Sequence, residues 1–452
     1  MTDLYAGRHV LVTGARVAGV AVAESLLRLG AAVTVTDQAE SARTAALTLL
    51  GATVSLGLDS VPATIDQVVT SPEWRPDHPL LLDAAARGIE VIGEVELAWR
   101  LRGQYTQPPA PWLAVTGTNG KTTTVEMLAA MLRAGGLRTV AAGNVGRPLV
   151  QVVQEPYDVL AVELSSFQLH WSSTVSPQAA AVLNVAPDHL DWHGSMSEYV
   201  AAKGRIYAPG TLAIYNADDH WSSLLSMASP RVGFTLGPPE TRQLGVVDER
   251  LVDRAFDHGG FAAVSDVAVP GRHNVANALA AAALAFAYGV SPSAVTSGLR
   301  DFRTGPHRNQ LVGTIRGIRY VDDSKATNAH AAAASLSAYD RIVWVAGGLL
   351  KGADVDGLVE DVAPRLAGVV LLGADRAVIA DALARHAPDV PVVDVPRTDD
   401  GAMSEVVRQA TRLAHPGDVV LLAPAAASMD MFDDYAARGD AFATAVGGLA
   451  AA

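Results

Sequence analysis

The sequence predicts an α/β protein of three domains, each built on a mainly parallel sheet, and three observations carry that reading. Short β-branched runs alternate with helical patterns along the chain, the order that produces βαβ units. Two polar, proline-bearing stretches, 103–111 (GQYTQPPAP) and 301–306 (DFRTGP), divide the alternation into blocks. The chain is 452 residues long, too long for one ordinary domain and natural for three at about 150 residues each. The expected domains are 1–104, 105–304 and 305–452.

In the first block, 8–13 (RHVLVT) reads as a buried strand, 18–29 as a helix and 32–36 as a second strand, with later strand candidates ending near Val69 and Ile92. The second opens at 112–116 (WLAVT), continues through strand candidates 159–163, 180–184 and 212–216, and ends in an alanine-rich helix after Asn274. The third has strands expected at 342–346, 369–373 and 419–423 with helices between them. No short-period repeat is visible, and the alanine-rich patches read as helix.

Half the residues are hydrophobic and 18% are charged, enough apolar material for several cores. Lys and Arg number 34 against 47 Asp and Glu, a net charge of -13. That balance argues against a nucleic-acid partner, which needs a basic face. It still permits an anionic nucleotide at a helix N-terminus. With no cysteine, disulfide and thiolate chemistry are excluded, which suits a reducing cytosol. The first residues lack the basic and apolar regions of a signal peptide, and apolar runs such as 278–287 are too short to span a bilayer. A cytoplasmic monomer without membrane insertion is expected.

The sharpest motif is Gly117-Thr118-Asn119-Gly120-Lys121-Thr122-Thr123, directly after a strand and opening a helix. Glycines let backbone N–H groups converge on a phosphate, and the helix N-terminus adds partial positive charge. Lys121 can reach the β- and γ-phosphates and the Thr122 hydroxyl can bind Mg²⁺. The first glycine of the usual GxxxxGK[ST] loop is missing, with Ala114 and Val115 in that region, so the loop is a variant. An incidental Gly/Thr turn is the rival reading, weakened by the strand–turn–helix context. Glu163 ends another apolar strand, where an α/β nucleotide site holds its metal.

The run AVTGTNGKTTT resembles the ATP loop of the Mur ligase family and of the related folylpolyglutamate synthases. The resemblance implies a Rossmann-like N-terminal domain, a central P-loop-type ATPase domain and a Rossmann-like C-terminal domain. It implies ligation in which a carboxylate is activated by ATP as an acyl phosphate and attacked by an amine. Around Glu163, ELSSFQL is similar to a family segment, and Asn184-Val185-Ala186-Pro187-Asp188-His189-Leu190-Asp191 is similar to another whose histidine binds a second Mg²⁺. That position is His189, and His193 is read as a loop residue. Ala201-Ala202-Lys203-Gly204-Arg205-Ile206 resembles the segment whose lysine is N-carboxylated by CO₂, which implies a carbamate at Lys203. Two Mg²⁺ ions are thus expected, one at Thr122 and Glu163, the other at His189 and Lys203. Asn274 and Asn277, one helical turn apart in GRHNVANA, match the family's adenine contacts, although one of them could simply cap the helix.

In the last domain Gly305-Pro306-His307-Arg308 and Asp322-Asp323-Ser324-Lys325-Ala326-Thr327-Asn328 resemble two family signatures. They imply ATP contacts by Arg308, Asp323 and Lys325, with His307 among the catalytic residues. Cations arriving from a separate domain could neutralise charge developing in phosphoryl transfer. In D-glutamate-adding relatives the amino acid is held by positions that fall here on Lys351, Thr327, Ser428 and Tyr435. In the first domain, Gly14 to Gly19 lacks the GxGxxG spacing of a dinucleotide site. The resemblance instead implies a UDP-sugar site with Arg16 and Val17 in the loop and Asp37 at uridine. Ser71 and Asn144 are further sugar or phosphate contacts, a structural role for Ser71 being about as good a reading.

The implied substrates are UDP-N-acetylmuramoyl-L-alanine and D-glutamate. A folylpolyglutamate synthase would place its P-loop nearer the N-terminus, the L-alanine-adding sibling usually has histidine at the Asn119 position, and the D-N-P-[RA] motif of the diaminopimelate-adding sibling is absent. A nucleotide-sensing protein that had lost its chemistry would show a broken set, whereas Lys121, Glu163, His189, Lys203 and Lys325 are all present. A dehydrogenase reading fails on the glycine spacing.

Overall fold

The computed structural model describes residues 4–450. These residues pack as two compact units, one of 4–266 with 276–302 and the other of 267–275 with 303–450, and carry three sheets.

The first sheet comprises β1 (His9–Thr13), β2 (Ala32–Thr36), β3 (Thr53–Val54), β4 (Gln67–Thr70) and β5 (Glu90–Gly93), all parallel in the order β3-β2-β1-β4-β5. Val10 and Val12 of β1 face a core with Ala21, Val22 and Leu26 of the helix Val17–Arg28, whereas Leu11 faces Val68, Leu80 and Ala84. Burial on both faces explains why these strands read as continuous apolar runs. The strand order reverses between β1 and β4, the place where open α/β sheets bind ligands.

The second sheet has nine strands: β6 (Trp112–Thr116), β7 (Ala141–Gly143), β8 (Leu160–Glu163), β9 (Ala179–Val182), β10 (Leu212–Asn216), β11 (Arg231–Phe234), β12 (Gln243–Val247), β13 (Arg250–Asp253) and β14 (Gly259–Ala263). Their order is β14-β13-β12-β11-β10-β9-β6-β8-β7, so β6 lies between β8 and β9 and its C-terminal end is a second switch point. β12, β13 and β14 form an antiparallel edge that the sequence reading had not anticipated. The helix Glu94–Tyr105 runs from β5 toward the second sheet, with the Trp99 and Trp112 rings edge-on at 5.0 Å. Its last turn includes Gly103 to Tyr105, so the connector expected over 103–111 starts later than the proline-rich composition suggested. The buried Glu96 accepts the N–H groups of Ser173 and Thr174, each at 2.9 Å, and anchors the helix there.

In the second unit β15 (Gln310–Ile315), β16 (Ile318–Asp322), β17 (Ile342–Gly347), β18 (Leu366–Leu372), β19 (Val392–Asp394) and β20 (Val419–Leu422) form one sheet. Its order is β15-β16-β20-β17-β18-β19, with only β15 antiparallel to its neighbour. Trp344 and Leu421 face one core and Val343 and Leu422 the other, again a strand buried on both faces. Among the described residues no helix is long and apolar enough to cross a membrane.

The helices Pro292–Asp301 and Lys121–Ala134 approach each other closely at Gly298, where a Cβ would stand 2.5 Å from Met131 Cα. Gly298→Ala is therefore expected to force the helices apart and destabilise the first unit by about 1–3 kcal/mol. A thermal melt indistinguishable from wild type would show that the pair separates without penalty.

Candidate active site

The chain leaves β6 at Thr116 and turns through 117–120 into the helix Lys121–Ala134. Gly120 has φ +83°, and a Cβ there would lie 2.4 Å from Asn277 Oδ1, so both conformation and space call for glycine. The loop is held from outside. Thr118 N–H donates to Asn184 O at 2.9 Å, and Thr118 Oγ1 meets Ala186 O, Ala186 N and the Tyr199 hydroxyl at 3.0–3.1 Å. Asn119 and Asn184 bond reciprocally: Asn119 N–H donates to Asn184 Oδ1 at 2.9 Å, and Asn184 Nδ2 donates to Asn119 O at 3.1 Å. Thr122 and Thr123 are buried in the first helical turn, where the dipole favours an anion.

Lys121 Nζ folds back on the loop, donating to Gly117 O at 2.9 Å and Thr118 O at 2.8 Å. Lys203 Nζ donates to the same Gly117 O at 2.8 Å and sits 4.5 Å from the centre of the Tyr199 ring. Lys203 is only 1% exposed. Burial, then repulsion from Lys121, holds its amine well below the usual lysine range. Glu163, also 1% exposed, accepts from Asn144 Nδ2 at 2.7 Å through Oε1, and its Oε2 is buried with no hydrogen-bond partner.

A buried carboxylate oxygen without a donor suits a cation. Among the described residues, no three His, Cys, Asp or Glu side chains are grouped to hold a metal alone. Mg²⁺ does not need such a cage, since it keeps waters and uses one or two carboxylates with substrate phosphates. The residues present fit that kind of ion.

His189 is exposed, adopts φ +54°, and has its ring 4.8 Å from that of Phe167 and its Nε2 3.6 Å from Asp188 Oδ2. His193, expected in a loop, instead ends the short helix Leu190–His193 and is buried, its Nε2 2.9 Å from Ser166 Oγ. Burial pushes its imidazole down to about 4, and it is neutral near pH 7.

At the switch point of the first sheet, Asp37 ties the loop after β1 to the end of β2. Its Oδ2 accepts Ala15 N–H at 2.7 Å and its Oδ1 accepts Gln38 N–H at 2.7 Å. Val17 is exposed, and Arg16 pairs with Glu73 at 2.6 Å on the surface, a contact that a ligand anion could displace. Ser71 N–H donates to Thr13 O at 3.0 Å, and its hydroxyl is buried without a partner. Asn144, expected at a sugar or phosphate, is engaged with Glu163.

In the second unit, Asn274 donates through Nδ2 to Pro270 O at 2.8 Å. His307, with φ +62°, pairs through Nδ1 with Asp322 Oδ2 at 2.7 Å. Asp323 accepts Asn309 N–H at 3.1 Å; removal from water pushes its carboxyl up to about 6 against the smaller pull of Arg308. Lys325 Nζ lies 3.9 Å from the Tyr435 ring centre. Lys351 is exposed at φ +55°, Thr327 is half-buried, and the buried Ser428 hydroxyl has no partner.

Sequence reasoning missed Arg438, which is 1% exposed. Its guanidinium donates to Ser324 Oγ and O at 2.9 Å, Ala426 O at 3.0 Å and Gly347 O at 3.4 Å. One arginine thus joins the loops after β16, β17 and β20, which carry Lys325, Lys351 and Ser428. Its only sequence signal is a lone cation in an alanine-rich helical stretch.

The family model described as the Mur ligase middle domain matches residues 115–285, and that of the Mur ligase glutamate ligase domain matches 307–426. The UDP-N-acetylmuramoylalanine--D-glutamate ligase of Thermobifida fusca is 58% identical, covering 98% of this chain and 99% of its own. Those of Streptomyces coelicolor and Mycobacterium tuberculosis H37Rv are 56% and 50% identical, covering 100% and 97% of this chain and 100% and 96% of their own. Among solved structures, the UDP-N-acetylmuramate-alanine ligase of Thermotoga maritima aligns with TM-score 0.60 at 20% identity, over 98% of this chain and 99% of that one. A pseudomurein peptide ligase type C from Methanothermus fervidus gives 0.63 at 18% identity, over 98% of this chain and 100% of that one. At such identities the structures speak for the fold. The chain belongs to the Mur ligase family.

Arg438→Lys keeps the charge but loses the fork that reaches several acceptors. It is expected to destabilise the second unit by about 1–3 kcal/mol, read as a lower melting temperature. Wild-type stability would mean that the loops hold without the guanidinium.

Proposed function

We propose that this Mur ligase joins D-glutamate to UDP-N-acetylmuramoyl-L-alanine with conversion of ATP to ADP and phosphate, as a step of peptidoglycan precursor synthesis in the cytoplasm, and acts as a monomer. What carries the proposal is 58% identity over essentially the whole chain to a ligase of that name, together with a phosphate loop beside the buried Glu163 and Lys203. The functional division proposed is 1–104 for the UDP-substrate, 105–304 for ATP and 305–452 for the amino acid.

In the first step an oxygen of the alanyl carboxylate attacks the γ-phosphorus and ADP leaves, giving an acyl phosphate. The D-glutamate amine then attacks the acyl carbon, the tetrahedral intermediate collapses, and phosphate departs with formation of the amide. The residues Gly117, Thr118, Asn119, Gly120, Lys121, Thr122 and Thr123 receive the phosphates, and Lys121 exchanges its loop carbonyls for phosphate oxygens. Asn274 and Asn277 are assigned to adenine, and Arg308, Asp323 and Lys325 to ribose and phosphate. His307, oriented by Asp322, is assigned to the reacting groups. Arg16, Val17, Asp37, Ser71 and Asn144 are assigned to the UDP-sugar substrate. Thr327, Lys351, Ser428 and Tyr435 are assigned to D-glutamate, Lys351 as its carboxylate partner.

Thr122 and Glu163 would hold one Mg²⁺ and His189 with Lys203 a second. Bound there, the ions neutralise the phosphates and the attacking carboxylate. An ammonium is a poor neighbour for such ions, and Lys203 is proposed to carry a carboxyl group. Its neutral amine attacks CO₂, a C–N bond forms, and one proton leaves to solvent, so that a cation becomes an anionic carbamate. The depressed basicity of Lys203 supports this, because only the unprotonated amine is a nucleophile.

Phosphate release from ATP should require UDP-N-acetylmuramoyl-L-alanine and D-glutamate together. Turnover with a different amino acid but none with D-glutamate would overturn the specificity. Intact mass under CO₂ should show one added carboxyl group, lost in Lys203→Ala; the same mass in both, after allowance for the substitution, would count against the carbamate. Asp323, pushed up to about 6, is ionised only on the alkaline side of that value. The KM for ATP should therefore rise as pH falls through about 6, and Asp323→Asn should flatten that rise; an unchanged profile in the variant would remove Asp323 from the ATP site.

A further inference from the structure

A line of hydrogen bonds leads from the end of the first sheet to Glu163. Glu94, the first residue of the helix Glu94–Tyr105, is 2% exposed. Its Oε1 accepts the N–H of Val150 at 2.6 Å, and the neighbouring Leu149 N–H also favours its ionised form. Leu149 and Val150 open the short helix Leu149–Val152 at the end of the loop that leaves β7. At the start of that loop, Asn144 N–H donates to Glu163 O at 2.9 Å and Asn144 Nδ2 to Glu163 Oε1 at 2.7 Å. One buried carboxylate thus grips the far end of a segment whose near end grips another.

Among the described residues no charged group faces Glu94. The small cavity it lines is formed by Val12 of β1, Ala18, Gly19 and Val22 of the helix Val17–Arg28, Val69 and Thr70 of β4, and Ser71. None of these is titratable or charged, and the helix Leu149–Val152 presents its N–H groups. Burial raises the Glu94 carboxyl to about 7, with the two N–H groups opposing. A site that needed only filling would take a leucine, since an ionisable group is costly to bury.

We propose that Glu94 is a positioning residue for ligation, holding the 144–150 segment so that Asn144 aims the Glu163 carboxylate. The inference rests on the assignment of Glu163 to the ligase centre. Above pH about 7 Glu94 is ionised and grips the two N–H groups as a strong acceptor. Stability runs the other way. Because folding raises this carboxyl's pKa, the stabilisation is full below the ordinary glutamate value and is lost as pH rises through about 7.

Glu94→Gln separates these effects, because it removes the charge and retains an acceptor. On the alkaline side of neutrality its kcat for phosphate release is expected to fall about tenfold, while its melting temperature rises above wild type. On the acid side both differences shrink. Glu94→Asp, which keeps the charge, should retain the wild-type shape of the pH profile. Hydrogen exchange of the 143–152 segment, measured on the full chain without substrates, should be faster in Glu94→Gln on the alkaline side. Wild-type kcat or unchanged exchange in Glu94→Gln overturns the proposal. So does a variant that fails to fold or loses activity and stability together at every pH, since either outcome makes Glu94 merely structural. If the wild-type chain gives no turnover, the ligase reading fails, and the exchange result still reports whether Glu94 holds the loop.

Discussion

Two lysine side chains converge on the carbonyl oxygen of Gly117, Lys121 from the phosphate loop's own helix and Lys203 from the helix Met196–Gly204, at 2.9 and 2.8 Å. Lys121 also donates to Thr118 O at 2.8 Å, whereas Lys203, almost wholly out of water, has the shared carbonyl as its hydrogen-bond acceptor. Burial, then repulsion from Lys121, holds the more buried amine well below the usual lysine range, so its proton is the easier one to give up. The loop can then keep its shape, with Lys121 positioned to trade carbonyl oxygens for phosphate oxygens that repay its charge far better. The lowered basicity of Lys203 follows first from its burial and then from the Lys121 charge that meets it at one oxygen.

That crowding is tolerable because the loop's conformation is fixed by groups remote in sequence. Asn184 holds both the N–H and the carbonyl of Asn119, and Thr118 is held by Ala186 and the Tyr199 hydroxyl. Asn184 follows β9 and Tyr199 lies in the same helix as Lys203, so elements that bring candidate ligands also brace the loop. Glu163 arrives on β8, on the other side of β6 from β9. A strand order in which β6 lies between β8 and β9 is what lets these groups meet, and any other order would scatter the same motifs.

The parallel strands were readable because both of their faces are buried. Leu11, Val12, Trp344 and Leu421 have no solvent side, so the residues around them read as unbroken apolar runs. The antiparallel edge β12–β14 was not readable, because its strands are half-exposed and contain Gly245, Gly259 and Gly260, which read as loop. At the sites, glycine, lysine and acid positions announced themselves through residue chemistry at strand ends. Partnerships did not. Nothing in the residue pattern said that Asn144 would bond Glu163, that His193 would be buried against Ser166, or that Glu94 would reach Val150, since those pairings are made by tertiary contact across 19 to 56 residues.

Arg438 and Lys203 show that burial alone does not decide what a cation becomes. Each is 1% exposed, yet burial lowers the arginine only to about 10 while the lysine falls well below its ordinary range. The difference lies in partners and in the group itself. The guanidinium spreads its charge over a planar fork that reaches four acceptors on three loops, whereas the ammonium concentrates its charge on one atom with one carbonyl that it must share. Arginine therefore stays charged and serves as a rigid pin for the loops after β16, β17 and β20. Lysine holds its proton less firmly in a dry site, which is what the carbamate proposed for it requires. Exchanging the two residue types would fail at both positions, because the planar fork and the single ammonium each depend on their own pattern of partners.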